Sequence, residues 1–108
     1  MSYFVYIISN TKHKPFYTGV TNSLERRIYE HKNKIFPESF SAKYNLDKLL
    51  FWEEHSDIIT AINREKQLKK WKQEYKLELI KAINPSLCDL SLLPYYLDRG
   101  QARDDTEF

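Results

Sequence analysis

The run Tyr3-Phe4-Val5-Tyr6-Ile7-Ile8 constrains this chain more than any other segment. Aromatic and β-branched residues follow one another with no polar alternation. That pattern reads as a β-strand buried on both faces. Residues 9–15 are polar and contain Pro15, so they read as a loop. Residues 16–20 read as a second strand, and so short a connection favours an antiparallel hairpin. Residues 46–54, centred on Leu49-Leu50-Phe51-Trp52, form the expected third strand.

Helical segments fall between and after these strands. Asn22 is placed to cap the first, with Glu25 three residues on completing a capping box. Leu24 and Ile28 share one side of it, with Ile35 at or beyond its end. Residues 37–45 read as loop. Ser56 or Asp57 caps a second helix carrying Ile58, Ala61, Ile62, Leu68 and Trp71, and residues 74–83 are helical again. Whether these two stretches are one rod or two helices stays open, since no Gly or Pro separates them. Asn84-Pro85 ends helical structure, because proline disfavours α geometry in the residue before it. Residues 1–93 are thus expected to form one domain, and 94–108 an acidic, flexible tail.

A chain of 108 residues with 15% aromatic content supports one modest core. No apolar run approaches the roughly 20 residues of a membrane span. The first residues lack the basic-then-apolar pattern of a secretory signal. A lone Cys88 allows no internal disulfide and fits a cytoplasmic protein. His13, His31, His55 and Cys88 show no zinc-site spacing. The net charge of +2 conceals an asymmetry. Residues 61–83 carry Arg64, Lys66, Lys69, Lys70, Lys72, Lys76 and Lys81 against Glu65, Glu74 and Glu78. Asp98, Asp104, Asp105 and Glu107 make the end acidic. A basic body suits a polyanion, although a solvated lysine face has the same composition.

Helix arithmetic singles out three polar residues. At about 100° per residue, Glu65 falls inside the apolar stripe of its helix. A carboxylate there binds a metal, pairs with a lysine such as Lys69, or sits at the rim. In the first helix His31 falls in the stripe with Leu24 and Ile28. Arg27 flanks it, one turn away from His31, while Arg26 points to solvent.

Val5-Tyr6-Ile7 and Tyr17-Thr18-Gly19 stand where the GIY-YIG nuclease family has its two namesake triplets. Arg27 lies eight residues after Gly19, as that family's catalytic arginine does. The segment from Ala61 to Trp71 resembles its metal-binding glutamate segment, with Glu65 as the ligand. Asn84-Pro85 with Asp89-Leu90, and Ser41-Ala42-Lys43-Tyr44, also match small stand-alone members. Val5 replaces glycine, Thr18 replaces isoleucine, and Leu87-Cys88 replaces a tryptophan-bearing stretch. The resemblance spans roughly residues 3 to 90 and implies an α+β fold, a three-stranded antiparallel sheet flanked by helices.

The resemblance also implies a chemistry, a metal-dependent endonuclease whose expected substrate is DNA rather than RNA, including structured or damaged DNA in repair or recombination. Glu65 would hold one Mg²⁺ or Mn²⁺, since a single carboxylate suits a hydrated ion better than a two-metal site. Arg27 would take the scissile phosphate through its planar fork. Tyr6 or Tyr17 would help deprotonate the attacking water, which requires a cationic neighbour such as Arg27 or His31. Gly19 would allow close backbone approach. Asn84 either orients a tyrosine or phosphate or merely ends a helix. Lys66, Lys69, Lys70, Lys72 and Lys76 are candidate phosphate contacts. Substrate choice falls to the fold or to a protein partner. The competing functions are a nucleic-acid-binding module with little cleavage and a protein-interaction domain.

Overall fold

The computed structural model describes residues 1–93. Three strands, β1 (Tyr3–Ser9), β2 (Tyr17–Thr21) and β3 (Lys48–His55), form one sheet in the order β2-β1-β3. Both pairings are antiparallel, with Tyr6 opposite Gly19 on one side and Trp52 on the other. The central place of β1 accounts for its unbroken apolar run. Phe4, Tyr6 and Ile8 join one core cluster with Leu24, Ile28, Leu46 and Leu49. Val5 and Ile7 join a second with Phe51, Ala61, Leu68 and Ile80. The α+β arrangement expected from the sequence is the one observed. The acidic tail falls outside the described residues.

The helix α1 (Leu24–Lys32) covers the first cluster, burying Leu24, Ile28 and His31 as its periodicity predicts. Its start is not the expected one. Ser23 is the N-cap and makes no side-chain cap bond. Instead Thr21 Oγ1 accepts from the Ser23 amide at 3.1 Å and donates to the Ser23 carbonyl at 3.2 Å. Glu25 then sits at the second helical position, one too early for a capping box. Within the expected loop lies a single turn, α2 (Phe40–Lys43), capped by Ser39 Oγ on the Ala42 amide. Four residues are too few to leave a periodic signal.

The helices α3 (Ile58–Lys70) and α4 (Gln73–Ile83) are separate. Asp57 caps α3 by accepting from the Thr60 amide. The break comes at Trp71 and Lys72, both extended, with ψ of 145° and 153°. No glycine or proline forces it. Across the bend Leu68, Trp71, Leu79 and Ile80 all pack on the second cluster. Ile58, expected in the stripe, is exposed at the start of α3.

Asn84 closes α4. The register of β1 against β3 shifts between Ile7 and Ile8, which face Phe51 and Leu49, so Leu50 is the extra residue of a bulge. Asn84 Nδ2 donates to the Leu50 carbonyl at 3.0 Å and to the Cys88 carbonyl at 2.9 Å, while its Oδ1 accepts from the Cys88 amide. At 3% exposure this side chain is engaged almost wholly with backbone, its one side-chain partner being the Cys88 thiol, which donates to Oδ1 at 3.4 Å. Its partners favour the architectural of the two roles left open above, with no tyrosine among them. Asp89 forms a second tie, accepting from the Leu49 amide at 3.1 Å and from Lys32 Nζ at 2.6 Å.

Candidate active site

The site is built on the α1 side of the sheet. Alternation along β1 sends Tyr6 to that face, and its register partner Gly19 lies beneath the ring. A Cβ on Gly19 would stand 2.5 Å from the Tyr6 hydroxyl oxygen. Gly19 is thus needed because the phenol occupies the space, and its φ is not positive. From α1, Arg27 Nε donates to the Tyr6 oxygen at 3.3 Å, and Arg27 Nη1 donates to Glu30 at 2.9 Å. One turn on, His31 Nε2 lies 2.9 Å from the same oxygen. His31 Nδ1 lies 2.9 Å from Ser41 Oγ, which lies 3.2 Å from Ser39 Oγ. Tyr17 closes the group, its ring 5.8 Å from His31 and 6.4 Å from Tyr6.

Hydrogen-bond bookkeeping gives this chain a direction. Tyr6 is 1% exposed, so its hydroxyl proton needs a protein acceptor. Arg27 can only donate, which leaves His31 Nε2. His31 therefore carries its proton on Nδ1 and donates to Ser41 Oγ, which shares a hydrogen bond with Ser39 Oγ. The reverse order would leave the Tyr6 proton buried without an acceptor, at a cost of about 1–3 kcal/mol.

Electrostatics agree with this neutral arrangement. Burial pushes Tyr6 up to about 12, against the lowering effect of the Arg27 hydrogen bond. Burial, and then the Arg27 charge, push His31 down to about 4. His31 is therefore neutral at pH 7 and is not the cationic neighbour that the tyrosines were expected to need. Arg27 fills that place: burial opposes its charge, but Glu30 and Tyr6 more than offset the opposition. Tyr6 is sealed, whereas Tyr17 is only half-buried.

Arg27 stands between two clefts. One of about 250 Å³ is lined by Arg27, Glu30, His31, Lys34, Phe36, Ser39 and Ser41. The other, of about 390 Å³, runs from Arg27 past Tyr3 and Val20 to Ile58 at the start of α3. A wider space of about 610 Å³ at the α3–α4 bend is lined by Trp71, Tyr75 and Leu79 with Lys70 and Lys72. It holds none of the tyrosine, arginine or histidine groups described above.

Glu65 does not join the constellation by contact. Its carboxylate pairs with Lys69 at 3.0 Å, one turn along α3, with 15% of the side chain exposed. The helix packs on β1 and β2 through Ala61 and Leu68, in the cluster opposite Tyr6. Among the described residues no three His, Cys, Asp or Glu side chains gather into a cage. That donor set does not suit a dehydrated ion. It does fit a magnesium ion that keeps most of its waters and takes one carboxylate. Lys66, Lys70 and Lys72 are exposed, and Lys69 sits close enough to Lys76 to lower its pKa, second to burial. Sequence reasoning missed Glu30 and Ser39, and met Ser41 only within a family-like loop, with no role given to it. Glu30 was legible as the acid three residues after Arg27, but the serines lie on an aperiodic segment.

The family model of the GIY-YIG catalytic domain matches residues 2–78. This chain belongs to the GIY-YIG family. Membership points to a nuclease. The GIY-YIG chain is also 32% identical over 78 residues to a UPF0213 protein of Syntrophus aciditrophicus, covering 72% of this chain and 88% of that one. It is 38% identical over 79 residues to a UPF0213 protein from the VLF1-GP41 intergenic region of Autographa californica nuclear polyhedrosis virus, covering 72% and 75%. The solution NMR structure of a UPF0213 protein from Bacillus halodurans superposes with a TM-score of 0.53 at 20% identity, covering 87% of this chain and 98% of that one. At that identity the likeness speaks for the fold. No helix among the described residues is long and apolar enough to cross a membrane.

Proposed function

We propose that this GIY-YIG domain is a divalent-metal-dependent endonuclease that hydrolyses phosphodiester bonds of DNA, structured or damaged DNA included, in repair or recombination. The observation that carries the reading is the guanidinium of Arg27, braced by Tyr6 and Glu30 at the junction of two open clefts. A permanently cationic planar fork held in one orientation is suited to a phosphate and to the charge that grows on it during attack.

The two tyrosines divide the work. Tyr6, sealed and neutral, positions Arg27 through its oxygen. Tyr17, open on one side and beside His31, is the phenol that a water or phosphate oxygen can reach. His31 keeps Tyr6 turned the right way. Glu65 would hold one Mg²⁺ or Mn²⁺, which supplies Lewis-acid stabilisation of the phosphate and a more acidic water. Release of Glu65 from Lys69 accompanies that role. The lysines of α3 and α4 add contacts to the phosphate backbone that are independent of base sequence. A protein partner would add substrate choice.

A second reading has its own support. The Glu65–Lys69 pair leaves the carboxylate engaged away from Arg27, as expected of a module that binds nucleic acid and cuts little or not at all. Purified protein with Mg²⁺ on duplex, single-stranded, flapped and four-way DNA and on RNA separates the two. The nuclease reading expects products that vanish with Arg27→Ala and Glu65→Ala while Glu65→Ala still binds. Cleavage that survives both substitutions comes from a contaminant, and metal-dependent product from no substrate leaves the binding module.

A further inference from the structure

Large aromatic side chains rarely stay half-exposed in a group unless they serve an interface, and this protein gathers several beside its candidate active site. Phe40 is 48% exposed and Tyr44 50%. Their ring centroids are 4.7 Å apart, and Phe40 lies 6.4 Å from Tyr17. The three rings thus form a row that starts at the half-buried Tyr17 and runs outward along α2. Phe36, 52% exposed, places its ring 5.7 Å from the Arg27 guanidinium carbon. The burial that holds this segment in place comes from Ser41, Ala42 and Leu46, so the aromatic rings are not needed to close the core.

The flanking charges identify the occupant. Arg27 bonds Tyr6, whose ring lies 6.4 Å from Tyr17 at the inner end of the row, and the exposed Lys43 lies on the same helical turn as the outer rings. A row of open π faces flanked by cations is complementary to a ligand that alternates flat rings with anions. Single-stranded nucleic acid has that alternation, and a duplex does not, because its bases are stacked on each other. We propose that Phe40 and Tyr44 form a stacking platform for unpaired nucleobases next to the phosphate bound at Arg27. This rests on the nuclease reading for the identity of the phosphate. It adds that the substrate is single-stranded or locally opened at the cleavage point.

The test measures stacking without cleavage. An oligodeoxynucleotide with 2-aminopurine at successive positions is titrated with the full chain in EDTA, alongside a duplex of the same length. Stacking on Phe40 and Tyr44 predicts quenching at one or two adjacent positions of the single strand and tighter binding than to the duplex. The Phe40→Leu and Tyr44→Leu pair keeps apolar bulk but removes the π faces. It is expected to weaken single-strand binding about tenfold or more and abolish the quench, with duplex affinity unchanged. Phe40→Trp should retain both signals. A quench that survives in the leucine pair, or equal affinity for single strand and duplex, overturns the platform. Platform and nuclease reading fail separately: position-specific quenching with no Mg²⁺-dependent product sinks only the latter, and duplex cleavage with no quenching sinks only the former.

Discussion

At the residue scale, the tightest constraint is the contact of Gly19 with Tyr6. A methyl group at position 19 meets the phenol at 2.5 Å, and the ring cannot retreat because its hydroxyl is tied to Arg27 and His31. Gly19→Ala is expected to cost about 1–3 kcal/mol and to lower turnover, measured by urea unfolding and by cleavage assay. Thr18 makes the opposite case. Its hydroxyl is buried with no hydrogen-bond partner among the described residues. Thr18→Val should stabilise the fold by about 1 kcal/mol, seen as a higher urea midpoint at unchanged slope. His31 sets a pH dependence. Its pKa of about 4 in the fold lies below the ordinary 6.5, so the unfolded chain binds the proton more tightly. Stability is full above about pH 6.5 and declines as pH falls toward 4, by up to about 3 kcal/mol. Unfolding curves at pH 7 and pH 4.5 should show this decline, and His31→Gln should remove most of it.

At the element scale, the bulge in β3 and the end of α4 depend on one side chain. Asn84 satisfies the carbonyl that Leu50 turns away from the ladder and holds the Cys88 backbone. Asn84→Ala leaves buried polar groups unpaired, and a loss of about 2–4 kcal/mol is expected in denaturant unfolding. Cleavage by the folded fraction should change little, since the amide has no contact with Tyr6, Tyr17 or Arg27. A large fall in turnover at constant folded fraction would assign Asn84 a role in the site. The helix α1 behaves differently, because one element carries both core and chemistry. Leu24 and Ile28 fix its rotation, which sends His31 inward and leaves Arg27 at the mouth of the clefts.

At the scale of the whole molecule, charge and site occupy different surfaces. The lysines lie on α3 and α4, while the tyrosine–histidine chain lies across the sheet under α1. Nucleic acid that reaches both must wrap around the β2 edge, past the cleft that joins Arg27 to Ile58. Replacing Lys66, Lys69, Lys70, Lys72 and Lys76 by Gln one at a time should reduce the slope of log affinity against log salt by about one for each true phosphate contact. A slope unchanged across all five would confine binding to the α1 side.

The linear order of residues carried the sheet, its hairpin and the rotation of α1. These follow from alternation and from helical angles, which are local and repeat every few residues. It also placed Arg27 and His31 on adjoining turns. Three things came only with the folded chain. The split of α3 from α4 at Trp71 reflects simultaneous packing of distant side chains, with no local breaker to announce it. The neutrality of His31 arises because burial and the charge of Arg27 act on it together; periodicity placed His31 inward, but Tyr6 and Ser41, which take up both ring nitrogens, come from other elements. The pairing of Glu65 with Lys69, apart from Arg27, was an open alternative of the helix arithmetic. What the fold added is the separation of Glu65 from Arg27, because the sheet lies between the two helices that carry the acid and the base.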